Sequence, residues 1–288
     1  MPPSLRTVRE ALAWATPVLS SARVPSPRLD AEVLLAHVVG WRRARLYAAP
    51  EFELAEPQQE VFQAAVERRR RREPVPYIVG HREFYGLDFC VDRRVLIPRP
   101  ETELLVERAL EWAKRVADQQ QLALADIGTG SGTVATCLAV GLVGATIYAT
   151  DSSAEALQVA AANVARHGVC DRVHLLLGDL LEPVPGCVHL IVANLPYVPS
   201  GLLASLDPDV AEYEPLAALD GGADGLAHIG RLLSGAKKWL RPRGAVLLEI
   251  GAGQGQQVLE MAAQYFPAAR AELFQDYAGL DRIVRIGL

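Results

Sequence analysis

The side chains best suited to chemistry fall into four short stretches. The first is Asp126-Ile127-Gly128-Thr129-Gly130-Ser131-Gly132, in which an apolar run ends in three alternating glycines. Glycines at such a turn let the backbone approach a bound nucleotide-like ligand, because no Cβ intervenes. The spacing is G-x-G-x-G and not the G-x-G-x-x-G of dinucleotide sites, and no lysine follows it as a triphosphate loop requires. A nucleoside ligand without a triphosphate is the better match. About 20 residues further on, an apolar run ends at Asp151, where a carboxylate can accept both hydroxyls of a ribose. The third stretch is Leu177-Gly178-Asp179-Leu180, in which the carboxylate suits the amino group of an adenine and Leu180 suits its ring face. Asp151 with Ser153 could equally open a helix, and Gly178-Asp179 could equally be a plain turn. The fourth is Asn194-Leu195-Pro196-Tyr197, a polar and aromatic turn at the end of another apolar run.

These stretches need a scaffold that brings them to one place. Past Leu122, short β-branched runs alternate with Ala-rich helical segments. The pattern predicts strands at Leu122–Ile127, Ala145–Thr150, Val173–Leu177, Val188–Ala193 and Ala245–Ile250. Such alternation implies a mostly parallel sheet covered on both faces, and open α/β sheets bind ligands at the carboxyl ends of their strands. All four stretches occupy such ends. The tail adds Ala271–Gln275 and Arg282–Ile286, close enough in sequence to pair antiparallel at one edge and complete seven strands. An adenosine ligand lacking a triphosphate, held by three loops, points to S-adenosylmethionine, with Gly128, Thr129, Gly130, Ser131, Gly132, Asp151, Asp179, Leu180 and Asn194 as its candidate contacts.

Upstream the periodicity is helical, as in Leu5, Val8, Leu12, Ala15 and Leu19. A second helix starts at Ser26-Pro27, a capping residue before a proline, and ends at Gly40, which suits a left-handed cap. A third is expected from Pro57 to about Arg72. Its Arg68–Arg72 run is expected to be a solvated face that complements the helix dipole. Prolines 74, 76, 98 and 100 surround short β-type segments such as Glu83–Val91. The expected organisation is therefore a small helical domain over 1–75, a linker with a β-hairpin over 76–100, and the sheet domain over 101–288.

The chain has 288 residues, 50% hydrophobic and 22% charged, with a net charge of -5, which suits a soluble globular protein and disfavours a generally basic nucleic-acid binder. Cys90, Cys137, Cys170 and Cys187 form no C-x-x-C pair, and His81, His167, His174 and His189 are scattered, so no metal is expected and the thiols are expected reduced and mostly packed. Met1–Ser20 lacks the charge and hydropathy layout of a secretory signal, and the uncharged stretch Ile127–Thr150 is glycine-rich at its start, so it is expected to be strand, loop, helix and strand with no membrane span. A cytoplasmic location follows as the expectation.

Asn194-Leu195-Pro196-Tyr197 resembles the N-P-P-Y turn of amide and amine methyltransferases. In those families the Asn side-chain oxygen and the next backbone carbonyl each accept one N–H of the substrate, and the Tyr ring packs on its planar face. The resemblance implies these roles for Asn194, Leu195 and Tyr197, with Pro196 fixing the turn. Leu195 departs from the usual proline, and N-L-P-Y also occurs in enzymes that methylate adenine amino groups. Three further segments extend the likeness: Pro76-Tyr77-Ile78-Val79-Gly80 with Arg82-Glu83-Phe84, Ile97-Pro98-Arg99-Pro100-Glu101-Thr102-Glu103, and Tyr213-Glu214-Pro215-Leu216-Ala217-Ala218-Leu219. Together they make nearly the whole chain similar to the HemK/PrmC family of release factor glutamine methyltransferases. That resemblance implies a Rossmann-like class I methyltransferase fold and methyl transfer to the glutamine amide in the Gly-Gly-Gln loop of class 1 release factors. It further implies S-adenosylhomocysteine as product and a helical domain that grips the protein substrate. The alternatives are an adenine amino-group methyltransferase acting on RNA or DNA, which requires a basic face, and an adaptor that keeps the fold without the chemistry.

Overall fold

The structure is a computed structural model that describes residues 5–116 and 121–288. The first four residues of the expected 1–75 domain, and 117–120 of the expected sheet domain, lie outside the described residues. The chain divides into two compact units, one of residues up to His81 with Asp207–Tyr213, the other of Arg82–Leu206 with Glu214–Leu288.

The first unit is helical: α1 (Val8–Ser21), α2 (Pro27–Val39), α3 (Arg43–Ala48), α4 (Glu56–Arg70) and α5 (Val75–Val79). Thr7 opens α1 with a reciprocal cap, its hydroxyl accepting from Glu10 N at 3.2 Å while the Glu10 carboxylate accepts from Thr7 N. Pro27 starts α2 and Gly40 ends it at φ 68°, the left-handed cap expected of glycine there. Leu12, Leu19, Leu34, Leu35, Leu46 and Phe62 form the core, with Trp14 edge-on to Phe62. The sequence pattern did not reveal α3, and α4 ends two residues early because Arg72 takes φ 69°.

The expectation of a solvated arginine face fails at Arg69 and Arg72. Arg69 is 4% exposed. It meets Asp30 and Asp209 at 2.8 Å each, and Arg72 meets Asp209 at 2.5 Å and also Asp207. These pairs bind the remote segment Asp207–Tyr213, which includes α9 (Pro208–Ala211), into the helical unit. Arg68, Arg70 and Arg71 do fit the expectation in being exposed, Arg70 and Arg71 paired with Glu67 on their own helix and Arg68 with Glu73.

The second unit begins within β1 (His81–Phe84), which forms the hairpin with β2 (Leu87–Cys90), the two joined by Tyr85-Gly86 with both φ values positive, the twist that two-residue hairpin turns favour. Then follow α6 (Thr102–Val116), β3 (Ala123–Ile127), α7 (Thr133–Gly141), β4 (Thr146–Asp151), α8 (Ala154–Arg166), β5 (Val173–Leu177) and β6 (Val188–Ala193). The chain ends with α10 (Ala227–Ala236), β7 (Leu240–Glu249), α11 (Gly255–Tyr265), β8 (Arg270–Gln275) and β9 (Asp281–Gly287). The seven-stranded sheet has the order β5-β4-β3-β6-β7-β9-β8. β9 runs antiparallel to both neighbours, so the tail hairpin closes one edge with β8 outermost. Side chains alternate between two cores as the pleat requires. Leu124, Leu190 and Leu247 pack with Leu105 of α6 and Leu138 of α7, whereas Ile127, Ile191 and Leu248 pack with Leu232 of α10 and Val258 of α11. This is the Rossmann-like α/β fold expected from the strand-helix alternation. Ile127–Thr150 is the expected strand, loop, helix and strand, and among the described residues no helix is long and apolar enough to cross a membrane. The thiols are less packed than expected: Cys137 is buried, but Cys170 and Cys187 are exposed.

Candidate active site

Parallel register brings the chemically suited stretches together. Ile127 lies beside Thr150 on one side and Ala193 on the other, and Asp151 lies beside Leu177. The loops after β3, β4, β5 and β6 therefore leave the sheet along a single edge. A cavity of about 520 Å³ near Leu122 and Ala145 opens at the opposite edge and has no ionisable lining residue, so it offers no competing chemistry.

The glycine loop is fixed from several directions. Gly128 N and Thr129 N both donate to Thr150 O at 2.9 Å. The buried Asp126 carboxyl accepts from Thr129 Oγ1 at 2.6 Å and from Ala135 N at 3.1 Å, joining loop to α7. Burial raises its pKa to about 6. Asn163 of α8, fully buried, donates to Ser131 O at 2.8 Å and brackets Cys90 with bonds to its N and O. The Ser131 and Thr133 hydroxyls are hydrogen-bonded to each other at 2.6 Å. The three glycines have three different reasons. A Cβ on Gly128 would lie 3.1 Å from Leu195 Cδ2, and one on Gly132 would lie 3.0 and 3.1 Å from Ala160 Cβ and Cα. At Gly130, φ +54°, a Cβ would meet nothing within 4 Å. Gly132 thus serves helix packing, and Gly130 is the position where a ligand can approach bare backbone.

Asp151 accepts from Gly130 N at 2.8 Å with Oδ2 and from Ser153 N at 2.9 Å with Oδ1. The cap of α8 is Ser153, whose hydroxyl accepts from Ala156 N at 3.1 Å, so Asp151 is left to tie the first loop to the second. Each of its oxygens retains room for a further donor. Asp179 forms an ion pair with Arg231, so its carboxylate reaches any ligand as a shared partner. Leu180 takes φ 48°, its carbonyl accepts from Thr150 Oγ1 at 2.8 Å, and its side chain packs on the α10–α11 core.

At the fourth loop, Asn194 Nδ2 donates to Thr102 Oγ1 at 3.1 Å, which leaves Oδ1 at the end of the amide remote from Thr102. Leu195 is buried against Gly128, so the residue in proline's place joins this turn to the glycine loop by contact. The Tyr197 carbonyl accepts from Gln254 Nε2 at 3.0 Å, and Gln254 also reaches Gly225 O at 3.3 Å and accepts from Gly251 N at 2.8 Å. Burial, then the nearby Glu249, pushes the Tyr197 phenol up to about 12. The Ile97–Glu103 segment lies alongside: Arg99 pairs with the buried Glu214 at 2.5 Å, and Ile97 N donates to the same carboxylate at 3.3 Å.

Asp126, Asn163, Thr102, Glu249 and Gln254 escaped sequence reasoning as site residues. Gln254 had a usable signal, since Gly251-Ala252-Gly253-Gln254 follows a strand just as the first glycine loop does. Among the described residues no group of three or more His, Cys, Asp and Glu is arranged to hold a metal ion. An unobstructed Gly130, a carboxylate at the next strand end and an apolar Leu180 form a donor set that fits an adenosine ligand.

The family described as PrmC N-terminal domain matches residues 10–80, and that described as ribosomal protein L11 methyltransferase (PrmA) matches residues 105–213. The catalytic domain of hMettl16, solved with MAT2A 3′UTR hairpin 1, shares the fold at a TM-score of 0.56 and 15% identity, over 84% of each chain. The release factor glutamine methyltransferase of Geobacter sulfurreducens is 40% identical over 99% of both chains. That of Moorella thermoacetica is 45% identical over 96% of both. With identity of this extent over both units, the chain belongs to the release factor glutamine methyltransferase family.

Proposed function

We propose that this protein transfers a methyl group from S-adenosylmethionine to the side-chain amide nitrogen of the glutamine in the Gly-Gly-Gln loop of class 1 peptide chain release factors. The observation that carries it is the orientation of the Asn194 amide, with Nδ2 tied to Thr102 and Oδ1 at the opposite end. A primary amide is a poor nucleophile because its lone pair is delocalised into the carbonyl. Its NH₂ has two hydrogens and needs two acceptors to hold it in line. Asn194 Oδ1 and the Leu195 carbonyl supply them, Tyr197 gives the planar face, and Pro196 holds the turn. The acceptors also stabilise positive charge as it grows on nitrogen, and the surplus N–H proton passes to water once the methyl group is transferred, so positioning and preorganised dipoles carry the rate without a strong base or a metal.

Bound S-adenosylmethionine supplies an electrophilic methyl group and leaves as S-adenosylhomocysteine. Gly128, Thr129, Gly130, Ser131 and Gly132 would form its cradle, Asp151 would take the ribose, and Asp179 with Leu180 the adenine. Residues 101–288 do the chemistry, the helical part over 1–75 grips the protein substrate, and 76–100 links them. The place of work is the cytoplasm, where release factors act.

Incubation with labelled cofactor, a release factor and RNA, read by mass spectrometry, tests this. The Gly-Gly-Gln glutamine gains one methyl group, and Asn194→Ala lowers the rate by about 10²–10³-fold, the scale for losing one preorganised dipole. Label in RNA with none in the release factor overturns the substrate.

A further inference from the structure

One buried carboxylate beside the site has no part in the mechanism so far. Glu249, the last residue of β7, is 1% exposed, and its Oε2 has no hydrogen-bond partner. Ala193 pairs with Leu248 across β6 and β7, which sets Glu249 beside Asn194. Burial is the chief influence on this carboxyl, and the neighbouring Thr102 and Asn194 side chains favour its charged form. An unpartnered buried carboxylate oxygen weakens a fold, so folding does not account for a Glu at this position. A side-chain amide is nearly symmetric in shape, and only its neighbours' charges decide which end faces where.

We propose that Glu249, acting with Thr102, fixes the direction of the Asn194 amide, turning Nδ2 toward the protein and Oδ1 toward the substrate. The Thr102 hydroxyl has one proton. When that proton is given to Glu249, Thr102 Oγ1 can only accept, and among the two ends of the amide only Nδ2 can donate to it. The reversed amide would press Oδ1 against a carboxylate and present N–H groups to the substrate NH₂, donor against donor. Protonation of the carboxyl at Oε2 does not abolish the effect, because the other oxygen keeps its lone pairs. Glu249 is therefore a positioning residue. The inference rests on the proposed role of Asn194 Oδ1 as substrate acceptor.

The test compares Glu249→Met, which removes the acceptor at similar volume, with Glu249→Gln, which keeps one, and Thr102→Val with Thr102→Ser. Readouts are kcat and KM on a release factor, the dissociation constant of S-adenosylmethionine by calorimetry, and the ¹⁵N side-chain amide signal of Asn194, assigned by its disappearance in Asn194→Ala. Glu249→Met and Thr102→Val should lower kcat about 10–100-fold, leave cofactor affinity within about twofold, and lose the slow solvent exchange of the Asn194 amide protons. Glu249→Gln and Thr102→Ser should restore most of both. If Glu249→Met fails to fold, the threonine pair decides. Unchanged kcat in Thr102→Val, or a fall in kcat with the amide signal unaltered, overturns the proposal. If the amide signal responds as expected while no variant or wild type methylates a release factor, the positioning stands and the substrate assignment falls.

Discussion

Substituting alanine at Gly130 and at Gly132 separates ligand approach from protein packing at two positions that look equivalent in sequence. Both have positive φ, +54° and +74°, so each Ala meets a backbone penalty of about 1–2 kcal/mol. They differ in what the new methyl group touches. At Gly132 it would lie 3.1 Å from Ala160 Cα, a backbone atom that no rotamer change can move, so overpacking adds about 1–3 kcal/mol. At Gly130 it meets no protein atom within 4 Å. With a melting shift of about 2–4 °C per kcal/mol for a unit of this size, Gly132→Ala should melt roughly 5–15 °C lower and Gly130→Ala only a few degrees lower. Affinity should order the other way. The Gly130→Ala methyl group occupies the face assigned to the cofactor, and a loss of only about 1.4 kcal/mol there is tenfold in dissociation constant. Calorimetry at a temperature where both variants are folded should show S-adenosylmethionine weakened at least tenfold by Gly130→Ala and less by Gly132→Ala. Unchanged cofactor affinity in folded Gly130→Ala would refute the placement of the ligand against this loop.

Three further outcomes follow from the same coordinates. Gln254→Leu leaves Tyr197 O, Gly225 O and Gly251 N without their side-chain partner, and should cost about 1–3 kcal/mol in urea melts and lower kcat, whereas equal stability would show that Gln254 does not staple the turn. Arg69→Met strands Asp30 and leaves Asp209 with Arg72 alone, and should destabilise the helical unit by about 3–5 kcal/mol, while the exposed Arg70→Met should change stability by less than about 1 kcal/mol; similar melts for the two would count against the buried network. Burial raises the Glu249 pKa from 4.5 to about 7, so the stability tied to its neutral form is complete below about pH 4.5 and lost as pH rises through about 7. Urea melts of wild type and Glu249→Gln at pH 5 and pH 8 should show wild type losing ground to the variant at the higher pH, by roughly 3 kcal/mol at most; parallel pH profiles would exclude a raised carboxyl.

Local rules made the strands legible. Val173–Leu177 and Val188–Ala193 stand where the β-branched runs placed them, because each run is short, apolar and ended by a residue that suits a turn. The left-handed cap at Gly40 was legible for the same kind of reason, as only glycine adopts that backbone readily. The six residues of α3 were not, since so short a helix with Arg43 and Arg45 in it shows no apolar period. The arginine run misled because a solvated face and a buried ion-pair network have the same local composition. Asp209, the partner that buries Arg69, is remote in sequence, and Arg72 and Asp209 are 137 positions apart.

The candidate site divides along the same line. The residue types at the ends of successive strands were enough to place a glycine loop, Asp151, Asp179 and Asn194-Leu195-Pro196-Tyr197 on one edge, because parallel strands of similar length must end together. Whether Gly132 faces a helix, which end of the Asn194 amide points outward, and why a carboxyl is buried at Glu249 depend on atoms of other elements, with Thr102 and Asn194 separated by 92 positions. Backbone periodicity is written within a few neighbouring residues and survives in the sequence. Hydrogen-bond direction belongs to pairs that only the folded chain brings within about 3 Å, and it is the tertiary structure that decides it.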